Sequence, residues 1–418
     1  MASYKAHRLR ASRAVRVAVT FFAAACGAEA GTMPAIESLP VLDVRPAIRV
    51  VALGSDAVLH LTLDAESRIY LVEEGQRTVR VLDWSGEVLG RIGEREDGVL
   101  QMSLPQDIGW EGDLLWVYDR ARYQLHFFDE ARLVESVTFG SFDLPGWEFP
   151  FIAVGVTPGR KAIALPLIPQ WVEGGRATLS YPVVRAEPGG PVLDTLWTEA
   201  AGMNELEILW PAGGGTAPVP QPFTESPVRA FVWSDSTLVE VRHELDPQPV
   251  IVVERRGMDG SVAFATHIAF DPDPLTEGEI TRAVEALGAG WAEVRREPEG
   301  EILTLFREAL HVPAVRRPYQ ALVVSQEGRI WIRMTPTAAE GGLGAEPPHQ
   351  VGVPMESLGG DADGSRWIVL SSEGRPEGQA EFPRRFVPMW IGGSRVVGVT
   401  TDDDGAHAVA EIQVSGLP

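Results

Sequence analysis

The sequence predicts an all-β fold, a six-bladed β-propeller of four-stranded blades, and three observations predict it. Ile69-Tyr70-Leu71-Val72-Glu73 through Val79-Arg80-Val81-Leu82-Asp83 aligns without a gap, at an offset of 46, with Leu115-Trp116-Val117-Tyr118-Asp119 through Leu125-His126-Phe127-Phe128-Asp129. The same pattern of apolar strand, polar turn and apolar strand returns along the rest of the chain. Gly (43) and Pro (32) are frequent enough among 418 residues to mark many turns, yet too few for a low-complexity chain. Four-stranded units at a period near ~45 residues are the mark of propeller blades.

The first blade reads as strands near 58–63, 69–73 and 79–83 plus one after the turn Trp84-Ser85-Gly86, and the second repeats it from 104. The third takes 151–169, 178–185 and 192–197. The fourth takes 228–233, 237–243, 250–255 and 262–270, with Asp259-Gly260 as a hairpin turn. The fifth takes 319–325, 329–334, 366–370 and 379–382, where Gly328-Arg329-Ile330-Trp331-Ile332 echoes Ser67-Arg68-Ile69-Tyr70-Leu71. The sixth has only three strands, 386–391, 395–400 and 406–414. An unpaired edge is an aggregation liability, so 47–53 is expected to supply the fourth strand and close the ring.

Two insertions interrupt the pattern. Within 273–318, Thr276 and Glu279 form a capping box, and Ile280, Ala283, Val284 and Leu287 recur at helical spacing until Gly288 and Gly290. A second helix is expected over 301–310, the pair capping one side of the ring. The Pro/Gly-rich stretch 211–227 reads as loop, and 26–40 as a linker whose removal leaves the fold intact.

At the amino terminus Lys5, Arg8, Arg10, Arg13 and Arg16 precede an apolar run over 17–25, too short to span a bilayer but right for a secretory signal over 1–25. Cys26, the only cysteine, follows at once. Ala23-Ala24-Ala25-Cys26-Gly27 resembles a bacterial lipobox, departing from it at Ala23, while Ala28-Glu29-Ala30 offers an ordinary A-x-A cleavage site instead. The two readings give an outer-membrane lipoprotein facing the periplasm or a secreted protein. The whole chain carries −22. Removing the basic leader makes it more acidic, which argues against nucleic acid and leaves only the anchor to hold it at a membrane.

Val81-Leu82-Asp83-Trp84-Ser85-Gly86, Leu115-Trp116-Val117-Tyr118-Asp119, and the tail Trp367-Ile368-Val369-Leu370-Ser371-Ser372-Glu373-Gly374 followed by Arg395-Val396-Val397-Gly398-Val399-Thr400-Thr401 resemble the bacterial six-bladed β-propeller lipoproteins related to NHL-repeat domains. The resemblance covers 40–415 and departs at Asp402-Asp403-Asp404-Gly405 and in the irregular third and fourth blades. It implies the fold and the anchor and says almost nothing of activity.

Similar six-bladed lactonases hold a calcium-like metal through Glu, Asp and Asn oxygens at the channel. Here Asn204 is the sole asparagine, so calcium would need an all-carboxylate site. Asp402-Asp403-Asp404, Asp361 and Asp363 flank glycines and read as hairpin tips. No two of the eight histidines lie at i, i+2 or i, i+4, and no G-x-S-x-G, phosphate loop or H-E-x-x-H occurs. His126 reads as a blade residue, and Trp116, Trp331 and Trp367 as packing between blades.

In propellers ligands gather at the face that carries the blade-to-blade connections and the loops between second and third strands. That geometry nominates Arg95, Asp119, Arg120, Trp147, Arg317, Tyr319 and Arg385, a set that suits a small anionic ligand. The leading expectation is a monomeric, envelope-tethered binding or scaffold module without a cofactor, partnered by a protein or a small anion. The alternative is a metal-assisted hydrolase or lyase working in the channel.

Overall fold

The structure is a computed structural model that describes residues 33–54, 57–94, 101–138, 151–166, 180–187, 192–200, 205–209, 216–220, 222–223, 225, 227–232, 236–295, 299–336, 364–402 and 404–418. The signal segment 1–25, Cys26, Arg95, Trp147, Asn204, Asp361, Asp363 and Asp403 lie outside the described residues.

Two short strands come first, β1 (Asp43–Val44) and β2 (Arg49–Gly54). Blade 1 follows as β3 (Val58–Leu63), β4 (Ile69–Glu73), β5 (Val79–Leu82) and β6 (Val88–Ile92). Blade 2 is β7 (Pro105–Glu111), β8 (Leu114–Asp119), β9 (Gln124–Asp129) and β10 (Arg132–Thr138). Blade 3 is β11 (Phe151–Thr157), β12 (Lys161–Pro166), β13 (Ser180–Ala186) and β14 (Val192–Ala200). A hairpin of β15 (Glu205–Leu209) and β16 (Thr216–Pro220) leads to blade 4, β17 (Val228–Val232), β18 (Thr237–Glu244), β19 (Val250–Gly257) and β20 (Val262–Ala269). After helices α1 (Glu277–Arg295) and α2 (Glu299–Ala309) comes blade 5, β21 (Tyr319–Val324), β22 (Ile330–Met334), β23 (Ser365–Leu370) and β24 (Pro376–Phe382). Blade 6 is β25 (Phe386–Gly392), β26 (Arg395–Thr401) and β27 (His407–Ser415). Every blade is an antiparallel meander. The first strands contact one another around the ring, β25 with β3, β3 with β7, β7 with β11, β17 with β21 and β21 with β25, so they border the axis.

Six side-chain clusters join six pairs of neighbouring blades, which is what makes the sheets a closed ring. Tyr70 and Val72 meet Val117 and Phe128 between blades 1 and 2. Tyr118 and Phe127 meet Ala162 and Val184 between 2 and 3. Ile163 and Val183 meet Phe231 and Leu238 between 3 and 4, and Val239 and Ile251 meet Ile332 and Ile368 between 4 and 5. Trp331 and Trp367 meet Val396 and Ile412 between 5 and 6, and Val397 and Val409 meet Ile69 and Leu71 between 6 and 1. Trp116, Trp331 and Trp367 are buried in these seams, as expected of packing residues. Burying such side chains at ~25 cal/mol per Å² is the main drive for closure.

The ring closes as the strand count requires. β2 lies antiparallel on β27, from Arg49↔Glu411 to Gly54↔His407, and β1 continues along the same strand with Asp43↔Ser415. The linker expected over 26–40 is corrected from Pro34 onward. The Ala269 N–H donates to the Pro34 carbonyl at 3.0 Å. The Leu42 N–H donates to the Gln379 carbonyl at 2.8 Å, and the Gln379 N–H donates to the Pro40 carbonyl at 2.8 Å. Ile36 and Leu39 are buried in the seam between blades 4 and 5. Residues 34–54 thus form a strap over the outer edges of blades 4, 5 and 6. Its first half, 34–42, lacks strand periodicity because the only regular element there is a single 3-10 turn at Ile36–Ser38.

Two further expectations are revised. The stretch 211–227 contains strand β16, paired with β15. Helix α1 runs through Gly288 and Gly290 to Arg295. A Cβ on Gly288 would collide with Leu303 of α2, so this glycine serves the close approach of two helices rather than a stop. The capping box forms as read. Thr276 N–H donates to Glu279 Oε2 at 2.8 Å, and the Glu279 N–H to Thr276 Oγ1 at 3.3 Å.

Candidate functional site

Of the nominated residues, Asp119 is a structural tie. It closes β8 with no exposed surface and accepts the backbone N–H groups of Ser103 at 2.7 Å, Leu104 at 3.0 Å and Ala121 at 3.2 Å. Burial pushes its carboxyl up, but His126 and these N–H donors outweigh burial and hold it below the usual range. The carboxylate pins the connection from blade 1 instead of facing a ligand. His126 is likewise buried, bonded through Nδ1 to Ser136 Oγ at 2.7 Å. Arg385, with φ +59°, donates from Nη1 to the Asp402 carbonyl at 2.7 Å and so holds the β26–β27 turn. At that turn Asp402 Oδ1 accepts the N–H groups of Asp404 and Ala406. This is a hairpin tip closed on its own backbone.

Arg317 and Tyr319 are brought together. The Arg317 guanidinium lies over the Tyr319 ring, 5.4 Å from its centroid, and Tyr319, first residue of β21, is fully buried. His243, near the end of β18, places Nδ1 3.5 Å from the Tyr319 hydroxyl and packs perpendicular to the Phe270 ring. Burial lowers the Arg317 guanidinium from its ordinary value and raises the Tyr319 phenol. The His243 imidazole is lowered too, by burial first, with Glu225 and Arg317 pulling in opposite directions. A half-buried guanidinium on an aromatic face, with a neutral imidazole beside it, is a geometry that receives an anionic oxygen.

Across the ring, between blades 1 and 2, His60 of β3 and Asp107 of β7 face each other with Nε2 4.0 Å from Oδ1. Both side chains keep partial solvent contact, 36% and 20%. They sit at equivalent positions. His60 pairs with Val72 and Asp107 with Tyr118, and each follows the bulge of its strand. Bulges re-aim side chains near sites. Burial alone lowers His60 to about 4. Burial raises Asp107 to about 7, against the nearby positive charge of the exposed Arg120. Neither His60 nor Asp107 stands among the sequence candidates. The seven-residue β7 against the six-residue β3 puts the equivalence at an offset of 47 rather than 46, which aligns His60 with Gln106 and hides the pair.

Among the described residues no three or more His, Cys, Asp or Glu side chains gather as a metal site. No described helix is long and apolar enough to cross a membrane.

No family model and no curated protein matches the chain. It is similar to several solved structures. A member of the DUF4221 family from Bacteroides vulgatus has 11% identity over 90% of this chain and 98% of that one, with TM-score 0.44. A protein assigned as exported in Bacteroides fragilis has 8% identity over 93% and 98%, with TM-score 0.42. Virginiamycin B lyase from Staphylococcus aureus has 10% identity over 89% and 99%, with TM-score 0.39. At these identities and scores they say nothing of activity. The chain is a six-bladed β-propeller on the strength of its own strand pairing and seams.

Proposed function

We propose that this protein is an exported binding propeller, held at the outer membrane through acylated Cys26, that takes a small anionic ligand at the blade 4 and blade 5 side of its loop face. The observation that carries the reading is the placement of Arg317 over the buried Tyr319 ring beside His243. An anion reaching this guanidinium replaces the hydration that burial removes, and the lowered imidazole of His243 stands beside it as a neutral group. The leader and lipobox support export and anchoring. The alternative of a metal-assisted hydrolase or lyase draws no support from any described cluster of metal ligands.

Titrating succinate and phosphate against the wild type and Arg317→Gln, followed by thermal unfolding, tests the binding. The expected result is stabilisation by at least one anion that Arg317→Gln removes, and equal stabilisation of both proteins overturns it. Detergent-phase partitioning tests the anchor. Cys26→Ser moves the folded propeller to the aqueous phase, and identical partitioning of the two forms rejects acylation.

A further inference from the structure

The pair between blades 1 and 2 goes beyond that reading and does not depend on it. Asp107 has a recessed carboxylate that no hydrogen-bond donor reaches among the described residues, and His60 Nε2 stands 4.0 Å from its Oδ1. The other imidazole nitrogen, Nδ1, is buried without a partner, so the interior imposes no tautomer and Nε2 can serve as an acceptor beside the carboxylate. Two acceptors at this separation are what one nitrogen spans with two N–H bonds of ordinary length. We propose that His60 and Asp107 form a binding site for a primary ammonium group, which donates one N–H to each.

Three further arguments favour an ammonium over a neutral donor. The pair lies between two inner strands of a chain whose net charge is −22, and so acidic a body attracts cations. A carboxylate removed from water is stabilised most by a full opposite charge in contact. Arg120 does not fill that role. It is exposed, beyond the end of β8, and its charge leaves Asp107 well above the ordinary carboxyl range. The groups that face Asp107 are His60 from β3, Tyr118 from β8 and Arg120 from the following turn, and the group that faces His60 is Asp107.

The probe is n-butylammonium, compared with tetramethylammonium at equal ionic strength, since the second carries the charge and no N–H. Three results are expected. At pH 8 n-butylammonium raises the melting temperature of the wild type, tetramethylammonium does not, and Asp107→Asn abolishes the response. The affinity falls about tenfold from pH 8 to pH 6 as Asp107 takes up its proton. The Asp107 carboxyl carbon, followed by NMR in the wild type, titrates at lower pH when n-butylammonium is present. Equal responses to the two cations, a response kept by Asp107→Asn, or an unmoved carboxyl titration each overturn the proposal. The last uses unaltered protein and decides the matter even where the variant does not fold.

Discussion

His60 Nε2 and Asp107 Oδ1 lie 4.0 Å apart at equivalent positions of neighbouring inner strands, and burial moves the two groups in opposite senses, His60 to about 4 and Asp107 to about 7. Both shifts disfavour the charged form, so both set the pH dependence of folding. His60 binds fewer protons folded than unfolded between about 4 and the ordinary histidine value, so its contribution is present above that window and is lost as pH falls through it. Asp107 binds more protons folded than unfolded between the ordinary aspartate value and about 7, so its contribution is present at low pH and is lost as pH rises to 7. Where the windows overlap, the two slopes cancel.

Asp107→Asn is therefore expected to unmask a stability that rises with pH from 4 to 6.5, and His60→Gln one that falls from 4 to 7. At pH 8 Asp107→Asn is more stable than the wild type by about 2 kcal/mol, a figure reduced from the full shift because the carboxyl keeps some solvent contact. Urea unfolding at half-unit pH steps measures this. Parallel profiles for the three proteins would show that the groups are not desolvated.

Arg316 is buried at the foot of the helical insertion, with Nε 2.9 Å from Asp273 Oδ2 and a second ion pair to the buried Glu279. Burial pushes Glu279 up, but Thr276 and Arg316 outweigh it and bring the carboxyl to about 2. Arg316→Met leaves a buried carboxylate without its cation and is expected to cost about 3–5 kcal/mol. In the wild type the contribution of Glu279 is complete above the ordinary glutamate value and is lost as pH falls toward 2. Hydrogen exchange along α1 reads both effects, and unchanged protection in Arg316→Met would deny the network a role in holding the insertion.

Two truncations separate the halves of the strap. A chain beginning at residue 43 loses Ile36, Leu39 and Leu42 from their seams and is expected to melt lower while remaining monomeric, since β1 and β2 still cover β27. Leu39→Ala alone should cost about 2–3 kcal/mol. A chain beginning at residue 55 bares the edge of β27 and is expected to dimerise or aggregate. Size-exclusion chromatography with thermal unfolding distinguishes the outcomes, and equal melting of both truncations and the full chain would place ring closure elsewhere.

Asp119→Asn is expected to lower stability by about 1–3 kcal/mol while leaving anion binding at Arg317 unchanged, because Asp119 serves the backbone of 103, 104 and 121. Loss of anion binding in this variant would return Asp119 to the ligand face.

The architecture was legible because blade strands alternate and repeat. The boundaries of blades 4, 5 and 6 follow from hydropathy alone, and the three-stranded sixth blade pointed to its own missing strand. The strap before residue 43 was not legible, since a single 3-10 turn burying two side chains leaves no period to detect. The site was harder to read for a different reason. Arg317 and Tyr319 are near neighbours in sequence, and the loop geometry nominated both. His60 and Asp107 meet through ring curvature and matched bulges, which no linear spacing records. Asp119 has the composition of a ligand-facing carboxylate, and only its three backbone donors reveal its use.

The order of contacts along the strap also decides how the molecule answers to force. Tension applied at its amino-terminal end meets the backbone bond at Ala269 first, then the bonds to Gln379, and only afterwards the ladder between β2 and β27. The segment that yields first belongs to no blade. Freeing 34–42 releases about 30 Å of extended chain and withdraws Ile36, Leu39 and Leu42 from two seams, while the side chains of the blades themselves still hold all six together, so a propeller pulled by its amino-terminal end gains slack before it loses its shape.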